Sequence, residues 1–593
     1  MRATTGSILF RLVSRVAVRV PLRVSRFVPL GVLLAAGCGE GPPEPEVNVL
    51  LISLDSTRQD VLGCYGHRPT FAPEVATSPS LDRLAAEGVR FTRAYATTSW
   101  TLPAHAALLT GQPDLVHGVE MQELALGTAH ETLAETLARA GYRTAGFYSG
   151  PFLDPRYGFA RGFARYEACY GPELADEIAR EARLARELVG TEDAARAEEL
   201  RGRLQEARVG IESLSHRDVS SALVTGRVLE EIAAARGAGE PWFVFAHYFD
   251  PHYDYTPPER YAEEFDPKYA GSEHGADLTT SPSISVWRPT LEDPNACERV
   301  ISDRDLAHVR ALYDAEVRWT DDQIGRILDD LRARGELDRT VVVVTADHGD
   351  EFFEHGNVGH RKSLFEEVLR VPLLVRFPER LGAGKTVDAV ASLVDVPATV
   401  LELTGLAEPG LAGETASRSL VPLATGARDG RDRFALGRLI TRLSIDHESG
   451  AKALYNAVEE AFVLGPIKVR RLRRWIAPAP STPPELHGEL QALAERQRAA
   501  DALLAWIDLD LHPGEELEQY SGDFADPRAR AALDRFRELY SGWLAERRRS
   551  RPGRAASDEV QSRLLSGFGY GGSDEDGAPL VFERFTLPPP EAR

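Results

Sequence analysis

The stretch that decides the fold is Val341-Val-Val-Val-Thr-Ala-Asp-His-Gly-Asp-Glu-Phe-Phe-Glu-His-Gly-Asn-Val-Gly-His360. Four consecutive valines are typical of a strand that is buried on both faces, as in a parallel sheet. Ligands of open α/β sheets bind beyond the carboxyl ends of the strands, and here Asp347 and His348 directly follow the valine run. A carboxylate beside an imidazole is half of a site for a divalent metal. The stretch therefore predicts an α/β fold with a metal site at one edge of its sheet.

Two other stretches predict the rest of this site. Asn48-Val-Leu-Leu-Ile-Ser-Leu-Asp55 is a second apolar strand that ends in an acid. Thr101 lies two residues before Pro103, and proline favours the first turn of a helix. The dipole and the free N–H groups of a helix N-terminus favour an anionic nucleophile and an anionic substrate. Thr101 is therefore a candidate nucleophile.

These motifs resemble those of the sulfatase family of the alkaline phosphatase superfamily. The resemblance extends roughly from Val47 to the end of the chain, and the matching blocks are Asn48–Gly66, Thr101–Gly111, Asp250-Pro-His252, Thr345–His360 and Leu369-Arg-Val-Pro-Leu-Leu374. Several ordered motifs together are a far more specific signal than any one alone. The resemblance implies an enzyme that cleaves sulfate or phosphate esters.

The pattern along the chain predicts a mostly parallel sheet sandwiched by helices, like that of alkaline phosphatase, with a smaller C-terminal α+β lobe. Strand-like runs are Val47–Leu54, Arg143–Tyr148, Trp242–Tyr248, Thr340–Thr345 and Val371–Phe377. Helical patterns cover Ser80–Glu87, Pro103–Thr110, Glu131–Ala140 and Leu306–Arg334. We predict a catalytic α/β domain at 47–434 with a helical insertion at 171–215, a C-terminal lobe at 435–568 and a flexible tail at 569–593.

The resemblance implies four metal ligands and a divalent ion. The ligands are Asp55, Thr101 through its oxygen, Asp347 and His348. Oxygen donors with one nitrogen suit Ca²⁺, Mg²⁺, Mn²⁺ or Zn²⁺, and at least one ion is expected. No clean ligand set for a second ion is evident. The alternative for a strand-end acid is a helix cap.

Further catalytic residues follow from the same resemblance. His252 is expected to contact the tetrahedral anion of the substrate or to protonate the leaving group, while Asp250 orients its loop. His360 and Lys362 are expected to neutralise oxygens of the anion, although Lys362 can also be a surface lysine. His105, one helical turn after Thr101, can hydrogen-bond the nucleophile or the anion, or lie on the helix surface. His117 and His355 are weaker candidates.

The chain departs from the sulfatase pattern at several positions. Sulfatases carry Cys or Ser, oxidised to formylglycine, where this chain has Thr101, and Arg where it has His105. Ser56 replaces the second acid of a pair, and Ser149 and Pro151 stand where the family has Lys and His. A threonine nucleophile with an Asp-His pair looks more like phosphoester-processing relatives, such as lipoteichoic acid synthases, phosphoethanolamine transferases and phosphodiesterases.

We therefore expect a metal-dependent hydrolase or transferase that prefers phosphate over sulfate esters. Thr101, as an alkoxide, would attack phosphorus or sulfur in line, and water or another alcohol would resolve the covalent ester. One alternative is a sulfatase that acts without formylglycine. Another is a catalytically inactive, lipid-anchored binding protein. The expected partner is an anionic ester, whether a small molecule, a lipid or a glycan.

Composition and the first residues predict export. The chain has 69 basic and 90 acidic residues, a formal charge of −21, which argues against nucleic-acid binding. An arginine-rich leader is followed by a short apolar run and by Leu34-Ala-Ala-Gly-Cys38, which resembles a bacterial lipobox. We predict residues 1–38 as a signal peptide, 39–46 as a polar tether, and a location in the bacterial cell envelope, anchored through lipid on Cys38. The other cysteines, Cys64, Cys169 and Cys297, cannot all pair with one another.

Overall fold

The computed structural model describes residues 47–122, 124–191, 193–215, 219–273, 275, 284–288, 296–406, 417–446, 452–478, 502–547 and 553–554. Their strands, in chain order, are β1 Asn48–Leu54, β2 Val89–Tyr95, β3 Leu124–Ala125, β4 Arg143–Tyr148, β5 Arg165–Ala168, β6 Trp242–Tyr248, β7 Ser285–Trp287, β8 Cys297–Arg299, β9 Thr340–Ala346, β10 Glu351–Phe352, β11 Val358–Gly359, β12 Leu373–Arg376, β13 Lys385–Ser392, β14 Phe434–Asp446, β15 Lys452–Leu464, β16 Ile467–Pro478, β17 Ala502–Asp508 and β18 Gly553–Arg554.

The helices of the described residues, in chain order, are α1 Pro79–Glu87, α2 Thr101–Thr110, α3 Asp114–His117, α4 Leu133–Arg139, α5 Pro172–Val189, α6 Ala194–Ser215, α7 Ser221–Ala238, α8 Glu259–Phe265, α9 Asp303–Ala333, α10 Glu366–Leu369, α11 Pro378–Leu381, α12 Asp395–Leu403, α13 Val421–Ala424 and α14 Pro527–Arg547.

The central sheet has eight strands in the order β13-β2-β12-β9-β1-β6-β4-β5. Only β12 is antiparallel to its neighbours, β2 and β9, and the other strands share one direction. All seven residues of β9 are buried, and so is every residue of β6. Burial of both faces accounts for their nearly unbroken apolar sequences. Helices flank the sheet, which confirms the predicted α/β class.

A second sheet confirms the smaller C-terminal lobe. It is antiparallel, with the strand order β14-β15-β16-β17. Helix α14 packs on it through Phe536 and Trp543, which share an apolar cluster with Phe434 and Phe462. Other residues of the same sheet, among them Leu439, belong to the core of the central sheet. The lobe is therefore packed directly against the α/β part.

The segment predicted as a helical insertion forms two helices, α5 and α6. They pack on each other through a small apolar cluster of their own, made of Leu184, Leu188, Ala197, Leu200, Leu204 and Ala207. Exposed ion pairs such as Arg196–Glu187 cover the outside. Charge on most faces and one narrow apolar stripe are expected of two helices that rest mainly on each other.

The predicted signal peptide, the tether and the tail at 569–593 lie outside the described residues, so these remain predictions, as do the domain boundaries. Within the described part of the chain no helix is both long and apolar enough to cross a membrane. Cys64, Cys169 and Cys297 are all free thiols there.

Candidate metal and nucleophile site

The candidate ligands meet because β1 lies between β9 and β6. In this parallel sheet Leu54 pairs with Ala346 on one side and with Tyr248 on the other. The next residues along β1 and β9 are Asp55 and Asp347, so the register brings the two acids together at the carboxyl edge. Both acids thus lie at the carboxyl edge of the sheet, where ligands of such sheets bind.

The turn after β1 positions Asp347. Ser56 has a left-handed backbone, with φ of 49°, which is uncommon for a residue other than glycine and typical of functional turns. Its N–H donates to Asp347 Oδ1 at 3.2 Å, and the N–H of His348 donates to the same oxygen at 2.8 Å. Asp347 Oδ2 is buried and has no hydrogen-bond partner among the described residues. One oxygen is thus held by backbone groups while the other is left for a ligand.

His348 is arranged in the same way. Its Nδ1 donates to the Gly349 carbonyl at 3.1 Å, which leaves the lone pair on Nε2. Buried Nε2 has no hydrogen-bond partner in the described part of the chain. It lies 3.5 Å from Asp347 Oδ2 and 3.8 Å from Asp55 Oδ1. A backbone carbonyl that fixes the other nitrogen is the usual support of a metal-binding histidine.

Asp55, Asp347 and His348 therefore fit a divalent metal. All three are fully buried, and one ligand atom of each lies within 4.8 Å of the others. Unpartnered buried polar atoms are costly, and a cation between them would satisfy those of Asp347 and His348. Carboxylate oxygen and imidazole nitrogen are the right donors for such an ion.

Thr101 stands beside this cluster as the first residue of α2. Trp100, in an extended conformation, precedes it as the N-cap. The Thr101 hydroxyl donates to Asp55 Oδ2 over 3.4 Å. The helix begins two residues before the predicted start at Pro103, so the hydroxyl lies at the helix N-terminus, where the dipole favours negative charge.

Burial and mutual charge shift the pKa values of these groups. Burial and the charge of Asp55 raise the pKa of Asp347 well above its usual range. Burial also tends to raise the pKa of Asp55, but the imidazoles of His247, His252 and His348 outweigh it and hold that pKa far below normal. Burial, together with nearby His360, lowers the pKa of His348 to about 4. His348 is accordingly neutral at pH 7, as a metal ligand must be.

His105 is fully buried rather than on the helix surface. Its Nδ1 donates to the Thr101 carbonyl at 2.8 Å, and its Nε2 accepts from the Ser53 hydroxyl at 2.9 Å. Burial, followed by the neighbouring His247, lowers its pKa to about 3. His105 thus ties the first turn of α2 to strand β1 as a neutral imidazole, so it supports the backbone of Thr101.

A second group of histidines adjoins the cluster. The His360 ring lies 4.4 Å from that of His348 and 5.1 Å from that of His252, centroid to centroid. His360 Nδ1 donates to Asp350 Oδ1 at 2.7 Å, and burial raises the pKa of Asp350 to about 6. Two of the predicted catalytic residues, His252 and His360, are therefore neighbours of the candidate metal ligands.

The other sequence candidates have these surroundings. The half-buried Lys362 donates to the Val358 carbonyl at 2.7 Å, and burial lowers its pKa; its part in anion binding stays a prediction. His355 pairs with Glu367 at 3.0 Å, and Nδ1 of His117 accepts from the Val119 N–H at 3.0 Å. Asp250 accepts from the N–H groups of Ser220 and Ser221 at the start of α7, which fits the predicted role in orienting its loop.

Comparisons with known proteins agree with this geometry. The model of the Sulfatase family matches residues 47–406, which is more than half of the 593 residues. The chain belongs to the sulfatase family. It is 27% identical over 372 residues to the uncharacterized sulfatase YidJ of Escherichia coli K12, covering 61% of this chain and 68% of that protein. It is 26% identical over 445 residues to an N-acetylglucosamine-6-O-sulfatase of Bacteroides thetaiotaomicron, covering 64% and 72%.

The fold of this sulfatase-family chain is also similar to solved structures. One is the phosphonate monoester hydrolase of Agrobacterium radiobacter, with a TM-score of 0.54, 21% sequence identity, and coverage of 84% of this chain and 96% of that one. Family and fold together support an enzyme that hydrolyses sulfate or phosphate esters.

Sequence reasoning missed two groups of this sulfatase-family site. His247 Nε2 lies 3.3 Å from Asp55 Oδ2, and Asp350 holds His360. Two further groups of side chains, which the sequence did not indicate, also come within 4.8 Å of one another: His105 with His247 and Asp347, and His348 with Asp350 and His360. The signal for His247 was an ionisable residue near the carboxyl end of the apolar run Trp242–Tyr248.

Proposed function

We propose that this protein is a metal-dependent phosphoester hydrolase with Thr101 as its nucleophile. The observation that carries the proposal is the Thr101 hydroxyl at the start of α2, 3.4 Å from Asp55 Oδ2, beside the unpartnered Asp347 Oδ2 and His348 Nε2. A divalent ion held by Asp55, Asp347, His348 and the Thr101 oxygen would supply Lewis-acid stabilisation of developing negative charge.

The residues of the chain provide the remaining parts of the reaction. Asp55 accepts the hydrogen bond of the Thr101 hydroxyl and so orients it toward the substrate. The Thr101 hydroxyl gives up its proton to solvent, its oxygen attacks phosphorus in line, and the bond from phosphorus to the leaving oxygen breaks. His252 or His360 supplies a proton to that oxygen, a role that suits an imidazole near neutral pH. Water then cleaves the threonine ester and regenerates the hydroxyl.

Phosphoesters are favoured over sulfate esters because of the chemistry of threonine. In formylglycine sulfatases a geminal diol expels sulfate by collapsing to the aldehyde, and a threonine sulfate has no such route. A threonine phosphate can be resolved by attack on phosphorus. Ser149 and Pro151 stand where the family has Lys and His, so fewer cations face the transferred group.

We expect phosphodiesters or phosphonate monoesters to be turned over with a higher kcat/KM than sulfate esters. The assay compares an aryl sulfate, an aryl phosphate, an aryl phosphodiester and an aryl phosphonate monoester with the purified, metal-loaded protein. Thr101→Ala should lower kcat at least ~10³-fold, because the covalent route is lost.

Thr101→Ser is the matched variant, since it keeps a hydroxyl at the start of α2. It should retain measurable turnover, while thermal unfolding of both variants should match that of the parent. A clear preference for the aryl sulfate would overturn the phosphoester assignment. Undiminished activity of Thr101→Ala would overturn the assignment of the nucleophile.

A further inference from the structure

We propose that Tyr255 and Asp350 are positioning residues that hold His360 as the proton donor to the leaving oxygen. The inference rests on the proposed function, in which His252 or His360 supplies that proton, and it assigns the step to one of the two. Its starting point is a chain of two short hydrogen bonds. The Tyr255 hydroxyl donates to Asp350 Oδ2 at 2.7 Å, and His360 Nδ1 donates to Asp350 Oδ1 at 2.7 Å.

This chain of hydrogen bonds is shielded from water. Tyr255 and Asp350 are completely buried, and His360 is 7% exposed. Hydrogen bonds to a charged group are strong, and low-dielectric surroundings strengthen them further. Each carboxylate oxygen of Asp350 accepts from one side chain, so the carboxylate is fixed from both sides. Asp350 in turn fixes the orientation of the His360 ring.

Tyr255 connects the two loops that carry the candidate histidines. It lies three residues after His252, whereas Asp350 belongs to the loop after β9. The Tyr255 ring packs against the ring of Phe352, two residues after Asp350, with centroids 5.6 Å apart. This packing and the hydrogen bond to Asp350 restrict the ring together. A catalytic group needs such rigid support if it is to meet the substrate in one geometry.

The partners of Nδ1 distinguish the two histidines. In His360 this nitrogen donates to the Asp350 carboxylate, whereas in His252 it donates to the backbone carbonyl of Tyr253. A carboxylate on Nδ1 stabilises the imidazolium and makes Nε2 the nitrogen that releases a proton. A carbonyl orients the ring but brings no full negative charge to it. His360 is therefore the better proton donor, and His252 keeps its other predicted role, contact with the anion.

The protons balance over the two steps of the reaction. In the first step the bond from phosphorus to the leaving oxygen breaks, and Nε2 of His360 gives its proton to that oxygen. In the second step water attacks phosphorus and returns a proton to Nε2. The bond from phosphorus to the Thr101 oxygen breaks, and that oxygen takes a proton from solvent. Asp350 stays ionised and Tyr255 stays protonated throughout.

The leaving group separates proton donation from a purely structural role. Methyl 4-nitrophenyl phosphate releases a stable phenolate and needs little protonation, whereas methyl phenyl phosphate needs more. The kcat/KM of the metal-loaded protein reports the steps up to departure of the phenol. His360→Gln should lower kcat/KM at least about 100-fold for the phenyl ester and less than about 5-fold for the 4-nitrophenyl ester. Tyr255→Phe and Asp350→Asn should show the same selectivity, with losses of at least about 10-fold for the phenyl ester.

Two further variants serve as comparisons. Tyr261→Phe is the matched control, because Tyr261 is a buried tyrosine of α8 whose hydroxyl donates to Asp322 at 2.8 Å. It should change kcat/KM for either ester by less than about 3-fold. His252→Gln should lower kcat/KM for the two esters to a similar extent.

Equal losses for the two esters in His360→Gln and Tyr255→Phe, or a stronger dependence on the leaving group in His252→Gln, overturn the inference. Loss of bound metal from Asp350→Asn, measured by elemental analysis, also overturns it, since Asp350 would then hold the ion. The proposed function survives each of these results. It fails instead if the wild-type protein hydrolyses neither these diesters nor the corresponding phosphonate monoesters. If Tyr255→Phe does not fold, His360→Gln and Asp350→Asn decide.

Discussion

At the scale of single residues, each candidate ligand uses one polar atom to hydrogen-bond the backbone and leaves its other polar atom for an ion. Oδ1 of Asp347 accepts hydrogen bonds from two backbone N–H groups, and Oδ2 has no hydrogen-bond partner among the described residues. Nδ1 of His348 donates a hydrogen bond to a backbone carbonyl, and Nε2 has no hydrogen-bond partner in the described part of the chain. Backbone groups thus fix the orientation of each ligand before an ion binds, which lowers the entropic cost of binding.

Asp55→Ala and Asp347→Ala should each empty the metal site. Loss of one carboxylate from so small a ligand set removes both charge and a coordination position. Elemental analysis of the purified proteins measures the bound metal. Asp60→Ala is the control, because Asp60 is an exposed acid paired with Arg58 and should leave the metal content unchanged. A full equivalent of metal in both site variants would show that the ligands are wrongly assigned.

At the scale of elements, a buried ion cluster fastens the C-terminal sheet to the segment that follows the metal ligands. Lys468 of β16 donates to the Leu364 carbonyl at 2.8 Å, to Glu366 Oε1 at 3.1 Å and to Glu515 Oε2 at 2.8 Å. Lys468 and Glu515 are both fully buried. Glu366 begins α10, directly after the loop that carries His360. The C-terminal lobe therefore contacts and stabilises the chain segment that follows His360.

Lys468→Met should destabilise the protein by roughly 3–5 kcal/mol, because it leaves two buried carboxylates without their cation. The free energy of unfolding from denaturant titration measures the loss. Lys468→Met combined with Glu515→Gln should recover part of it, since one of the unpaired charges is removed as well. Lys385→Met, at an exposed lysine of β13, should change the free energy by no more than about 0.5 kcal/mol. A loss no larger in Lys468→Met than in Lys385→Met would contradict this account.

At the scale of the whole molecule, the sequence predicts best where the apolar pattern is continuous. Strands β1, β6 and β9 were predicted almost to the residue, because burial on both faces leaves unbroken apolar runs. Strand β2, Val89–Tyr95, was missed because Arg90, Thr92 and Arg93 interrupt its pattern. The antiparallel direction of β12 was not predictable either, since an apolar run does not specify direction.

The sequence predicts those residues of the candidate site that directly follow strands, but not those whose positions depend on register or loop conformation. Asp55, Asp347 and His348 follow strands, so their meeting at one edge follows from parallel topology. His247 lies inside a strand, and its closeness to Asp55 depends on the register of Ser53 with His247. Asp350 accepts a hydrogen bond from His360. This contact depends on the conformation of a loop. Neither register nor loop conformation can be read from one sequence.

The last prediction concerns how the whole protein is held in the cell. Residues 1–38 lie outside the described residues, and we propose from the sequence that they are removed so that the mature chain begins at a lipid-modified Cys38. The tether at 39–46 would then reach at most about 30 Å, which keeps the catalytic part close to the membrane surface.

Mass spectrometry of the N-terminal peptide should find diacylglycerol on Cys38, and the native protein should fractionate with membranes. Cys38→Ala should abolish lipid attachment and release the protein from the membrane fraction. Cys64→Ala is the matched control, because Cys64 is half-buried within the fold, and should stay in the membrane fraction. Cleavage at another position, or an unmodified Cys38 at the mature N-terminus, would contradict the anchor.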